Sequence, residues 1–74
     1  MPARIDAEER RQHVIESAFR LIEAEGIEGL TLRKVADAAN LNIGSVRHFF
    51  NGAEDLLTAA AQEAGNRMEQ RLMH

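Results

Sequence analysis

The stretch TLRKVADAANLNIGSVRHFF, residues 31–50, carries two short helical patterns, parted by a polar break and closed by paired phenylalanines. Thr31 is a capping residue. Leu32, Val35, Ala36 and Ala39 fall on one face of the helix it would start, over residues 32–39, with Arg33, Lys34 and Asp37 on the other. Asn40 tolerates positive φ about as well as any residue but glycine, so it ends that helix sharply. Leu41 then turns inward, and Asn42 caps a third helix over about residues 43–50. Two short helices joined by so brief a turn describe a helix-turn-helix. The crossing needs a small side chain, supplied by Ala36, a turn-tolerant residue, Asn40, and apolar anchors, Leu41 and Val46.

The third helix is weak by itself. It has few apolar positions, and Gly44 costs about 1 kcal/mol relative to alanine. Its purpose follows if Val46, Phe49 and Phe50 hold one face inward, because the opposite face is then free to enter a major groove of DNA. Gly44, lacking a side chain, lets that face approach closely. A substitution there would raise helix propensity and leave stability equal or higher, alanine more clearly, while blocking the approach. Asn42, Ser45 and Arg47 bring groups that hydrogen-bond base edges or phosphates.

Outward from this centre the pattern stays helical. Residues 6–25 read as a first helix, with Asp6 as cap, Glu8 and Glu9 in the first turn, and Val14, Ile15, Ala18, Phe19, Leu21 and Ile22 as its apolar face. Gly26 is expected to end it as a left-handed cap, and GIEGLT to form a loop with Ile27 and Leu30 packing inward. A fourth helix over residues 53–74, capped by Asn51 or Gly52, carries the apolar stripe Leu56, Leu57, Ala60, Ala61, Ala64, Met68 and Leu72. It runs to the final residue without a stop signal and reads as a helix continuing past His74. Much of its stripe, Leu57, Ala61, Ala64, Met68 and Leu72, calls for a further surface to cover it. The fold class is therefore all-α: a three-helix domain, residues 1–52, and the start of a longer connecting helix, residues 53–74.

Composition limits the alternatives. Seventy-four residues, 45% hydrophobic, with three Phe and neither Trp nor Tyr, allow one small domain with an aliphatic, alanine-rich core. The chain has no cysteine, which removes disulfides and thiolate metal sites and suits a cytoplasmic setting. No apolar run approaches the roughly 20 residues of a membrane span, and residues 1–13 are too polar for a secretory signal. The net charge of −3 argues against nucleic acid when taken globally. Between residues 31 and 50, however, Arg33, Lys34 and Arg47 face Asp37 alone. The histidines His13, His48 and His74 show no metal spacing, and no nucleophile–base pair, carboxylate pair or phosphate loop points to an enzyme or a cofactor. His13 reads as a surface or groove-edge residue, and Met68 and Met73 as packing.

The residues VIESAFRLIEAEGIEGLTLRKVADAANLNIGSVRHFF, followed by NGAEDLL, resemble the DNA-binding domain of TetR-type (tetracycline-repressor-like) bacterial transcriptional regulators. The likeness lies in Gly26 ending the first helix, Thr31 starting the second, the Val35–Ala36 pair, and Phe49–Phe50 followed by Glu54 and Leu56. Three positions depart from the family pattern: Asn40 for a glycine, Arg47 for a tyrosine, and Ala53 for a phosphate-gripping lysine. The resemblance implies that Ile43, Gly44, Ser45 and Arg47 contact bases and that Thr31, Arg33, Arg47 and His48 contact phosphates. It also implies double-stranded operator DNA as partner, a palindromic site bound by a homodimer, and repression as the commoner mode. A small-molecule effector would be bound by a domain beyond these residues. The competing expectation is a small acidic helical interaction module that uses the apolar stripe of residues 56–72.

Overall fold

The computed structural model describes the backbone of residues 7–72 and the side chains of residues 7–70. The expectations placed on Asp6, the Leu72 side chain, Met73 and His74 lie outside these. Among the described residues the chain forms α1 (Ala7–Glu25), a 3₁₀ turn (Ile27–Gly29), α2 (Leu32–Ala39), α3 (Ile43–Phe49) and α4 (Ala53–Leu72). The all-α helix-turn-helix architecture is therefore the one the sequence implies.

The motif is built from local chemistry. Thr31 Oγ1 accepts the Lys34 amide N–H and starts α2. Asn40 sits at φ 61, ψ 42, the left-handed step that lets its N–H and that of Leu41 close back on carbonyls of the last turn. Asn42 Oδ1 then accepts the Ser45 amide at 2.9 Å and starts α3. α3 ends at Phe49, with Phe50 already extended at φ −136. Gly52 takes the cap position of α4, its carbonyl accepting the Leu56 amide, while Asp55 accepts the amide of Asn51.

Burial locks the pieces together. Val14, Ile15 and Ala18 of α1 meet Val35 and Ala36 of α2, Val46 of α3, Phe50, and Leu56, Ala59 and Ala60 of α4, with Leu30 closing one side. Each large aliphatic residue so buried contributes about 1.5–3 kcal/mol. His13 adds a link no apolar pattern reveals. Although largely exposed, its Nε2 donates to the carbonyl of Ala39 at 2.8 Å, tying α1 to the end of α2. Beyond the core, Arg67 of α4 is paired with Glu16 of α1 and with Glu63 one turn back, and its guanidinium lies 5.1 Å over the Phe19 ring. The hydrogen bond that the Arg67 guanidinium donates to Glu16, joined by the one it donates to Glu63, raises its pKa above the ordinary arginine value.

Three expectations are corrected. Gly26 has positive φ, 85, but its ψ of 169 lies outside the left-handed helical region, in backbone space open essentially to glycine alone. The chain leaves α1 there by an extended step. Ile27 does not pack inward: it opens the 3₁₀ turn at the surface, 58% exposed, and Leu30 alone of the pair reaches the core. Met68 does not pack either, being 64% exposed. Ala61 and Ala64 are exposed as well, because the core ends at Ala60 and the rest of α4 lies against α1 chiefly through Arg67.

Candidate nucleic-acid interface

α3 is held by one side. Val46 is fully buried and Phe50 nearly so, while Ile43 and Phe49 are half-buried against the same core. At about 100° of rotation per residue, the opposite side centres on Gly44. Arg47 lies about 60° to one side of it, and His48 and Ser45 about 40° and 100° to the other. Gly44, Arg47 and His48 are exposed and Ser45 half-buried. A bare backbone patch thus sits at the crest, flanked by a cation and by hydrogen-bonding groups.

The sequence-predicted residues are deployed unequally. Asn42, Gly44, Ser45 and His48 line one groove of about 330 Å³. Arg47 projects on the far flank, and Ile43 is partly withdrawn into the core. Thr31 and Arg33 stand exposed at the start of α2. Thr31 uses its oxygen as an acceptor for the cap and keeps its hydroxyl hydrogen to donate; Asn42 likewise keeps its Nδ2 donors. Lys34 is less available than its charge suggests, because Glu25 lies 2.7 Å from its Nζ. His48 is set edge-on to Phe49 with centroids 5.0 Å apart.

Gly44 is also less free than helix propensity implies. A Cβ there would lie 3.3 Å from Asn42 Oδ1, the oxygen that caps α3. The propensity gained by a side chain is therefore set against pressure on the cap.

One residue of this surface escaped the sequence reading. Arg10, in the first half of α1, lines the groove opposite Ser45 and His48. Its signal was the Arg10–Arg11 pair, invisible to a charge count confined to residues 31–50. Arg11 takes a different role, its guanidinium 5.3 Å over the Phe50 ring.

The sequence pattern of a family described as bacterial regulatory proteins, tetR family, matches residues 14–60. The HTH-type transcriptional regulator PksA of Bacillus subtilis is 35% identical over 72 residues, covering 97% of this chain and 35% of that protein. The HTH-type nicotine-responsive transcriptional repressor HdnoR of Paenarthrobacter nicotinovorans is 37% identical over 60 residues, 81% of this chain and 31% of that protein. The crystal structure of a protein from Lactobacillus plantarum, described as a transcription regulator, superposes with a TM-score of 0.76 at 22% identity. That match covers 78% of this chain and 32% of the other, and it shows the shared fold. The chain spans about a third of the length of the curated relatives it matches.

Proposed function

Because this chain belongs to the tetR family of bacterial regulatory proteins and carries a DNA-binding helix-turn-helix, we propose that α3 reads a palindromic operator as one half of a dimer and that the regulation is repression. The observation that carries this reading is the one-sided anchoring of α3, with Gly44 at the centre of its free face. A helix pinned by Val46 and Phe50 presents the rest of its surface outward, and a side-chain-free crest is what close approach to base edges requires. Residues 1–52 act as the DNA-binding unit and α4 as the helix that connects it to an effector-binding, dimerising region. Gly44, Ser45, Arg47 and Ile43 face bases, Arg47 doubling as a phosphate contact with Thr31, Arg33 and His48, and Asn42 supports both roles.

Two copies spaced about 34–36 Å apart would occupy successive major grooves. Selection of bound sequences from random duplexes by a dimerised form tests this: a palindromic consensus supports it, and recovery of no consensus refutes it. The exposed Ala61, Ala64 and Met68 on α4 favour one second reading, a protein-interaction face. A salt titration with duplex DNA separates the two, since phosphate binding weakens steeply with salt and apolar docking does not. Among the described residues no helix is long and apolar enough to cross a membrane.

A further inference from the structure

Among the described residues, the groove between α1 and α3 is lined by Arg10, Asn42, Gly44, Ser45, His48 and Phe49, a set with donors from both sides and no carboxylate. Arg10 is half-buried, and among the described residues its guanidinium has no ion-pair partner. The two consecutive arginines diverge. Arg11 is spent on the Phe50 ring, whereas Arg10 opens onto the groove. A guanidinium with five N–H donors, a serine hydroxyl, an amide nitrogen and an imidazole N–H together form a donor set for a tetrahedral oxyanion.

The position of the groove identifies the anion. Ser45 and His48 lie on the opposite side of Gly44 from Arg47, so cations bracket the outward face of α3 on both flanks. A helix in a major groove about 12 Å wide has a phosphate strand on each side of it. We infer that the α1–α3 groove is a phosphate subsite, in which Arg10, aided by Ser45 and His48, holds a backbone phosphate on the strand opposite the one Arg47 reaches. This rests on the reading of α3 as the DNA-contacting helix. Arg10 is a positioning contact: a phosphate carries no base identity, so the residue fixes how α3 sits without choosing the sequence.

The test is fluorescence anisotropy of a labelled random-sequence duplex with the 74-residue chain between 50 and 200 mM KCl. Arg10→Gln should raise Kd about tenfold at the low-salt end and reduce the slope of log K against log salt by about 0.9. Arg10→Lys should restore the slope, and Arg20→Gln, on the exposed side of α1, should match wild type. Ser45→Ala keeps the amide that the Asn42 cap uses, and it should weaken binding with the slope unchanged, because no charge is lost. Wild-type affinity and slope in Arg10→Gln, with wild type itself binding duplex, overturn the subsite alone. Loss of inorganic phosphate binding in Arg10→Gln without loss of duplex binding would reassign the groove to a free anion and equally overturn it. Absence of salt-dependent duplex binding by wild type would remove the DNA reading and the subsite with it.

Discussion

Replacing Gly44 separates what holds α3 together from what α3 is for. Alanine gains about 0.8–1.0 kcal/mol of helix propensity. Against this, its Cβ would stand 3.3 Å from Asn42 Oδ1, which caps the helix through the Ser45 amide at 2.9 Å. Such a cap is worth about 1 kcal/mol, and shifting the oxygen by a few tenths of an ångström forfeits part of it. The net change in stability should lie between zero and about +0.5 kcal/mol, a melting shift within about 4 °C for a domain of this size. DNA binding should respond very differently. A methyl at the crest would hold the backbone off the groove and stretch the bonds proposed for Arg47 and Ser45, each worth about 1 kcal/mol. Alanine should therefore cost about tenfold in operator affinity and valine more. Valine's stiff χ1 removes some of the propensity gain, so alanine is the cleaner probe of stability and valine of approach. Circular-dichroism melts and anisotropy titrations on the same samples read both quantities. Wild-type affinity in Gly44→Val, with the melt unchanged, would refute the close-approach argument and leave Gly44 a turn residue.

Arg47→Ala should weaken specific binding by about 1–3 kcal/mol and leave the melting curve unchanged, since Arg47 is exposed on α3; equal affinity across a salt series would remove it from the interface. Ser17 is 1% exposed and its hydroxyl has no hydrogen-bond partner among the described residues, so Ser17→Ala should raise stability by up to about 1 kcal/mol in a urea melt, and a loss of that size would mean the hydroxyl has a partner. The 74-residue chain should behave as a monomer or weak self-associator and bind duplex with Kd about 10⁻⁴–10⁻⁶ M at physiological salt; an appended dimerising domain should then gain about 10²–10⁴. Nanomolar operator binding by a proven monomer contradicts this, as does a stable dimer formed through α4.

What the sequence made legible is what local chemistry decides. Thr31, Asn40 and Asn42 each act within four residues of themselves, as cap, left-handed stop and cap, and their side chains allow few other roles at those places. The inner faces of α1 and α2 were legible for the same reason: the helical period sorts residues before any partner is known. Gly26 shows the limit. A glycine after a helix announces positive φ, but ψ is set by where the chain must go next, and here that is an extended step into a 3₁₀ turn. The inward placement of Ile27 fails for the same reason, and Met68, read as packing, is an exposed member of the stripe that calls for a further surface.

The long-range polar contacts were illegible for a different reason. Arg67 with Glu16 and His13 with the Ala39 carbonyl join residues far apart in the chain whose pairing depends on the angles between helices, and the groove that Arg10 and Ser45 both line depends on the same angles. Charged and polar side chains on exposed faces look interchangeable until those angles are fixed. Packing at Ala36, Val46 and Leu56 fixes them, so the apolar pattern, readable in advance, determines which of the unreadable polar pairs can form.

The shortness of α3 then becomes intelligible. Isolated helices below about 12–15 residues are marginal in water, and α3 has seven with a glycine among them. Its order is borrowed: from the Asn42 cap, from burial of Val46 and Phe50, and from Arg11 of α1 over the Phe50 ring. Little structural duty is left to the outward side chains of Arg47 and His48, which leaves them available for contacts outside the domain. Asn42 is the exception, because it caps the helix with one atom and faces the groove with another. Loss of Asn42 should therefore lower stability and affinity together, whereas loss of Arg47 lowers affinity alone. Asn42→Asp keeps the capping oxygen but brings a carboxylate to a groove that has none among the described residues, so it should preserve the melt and still weaken duplex binding.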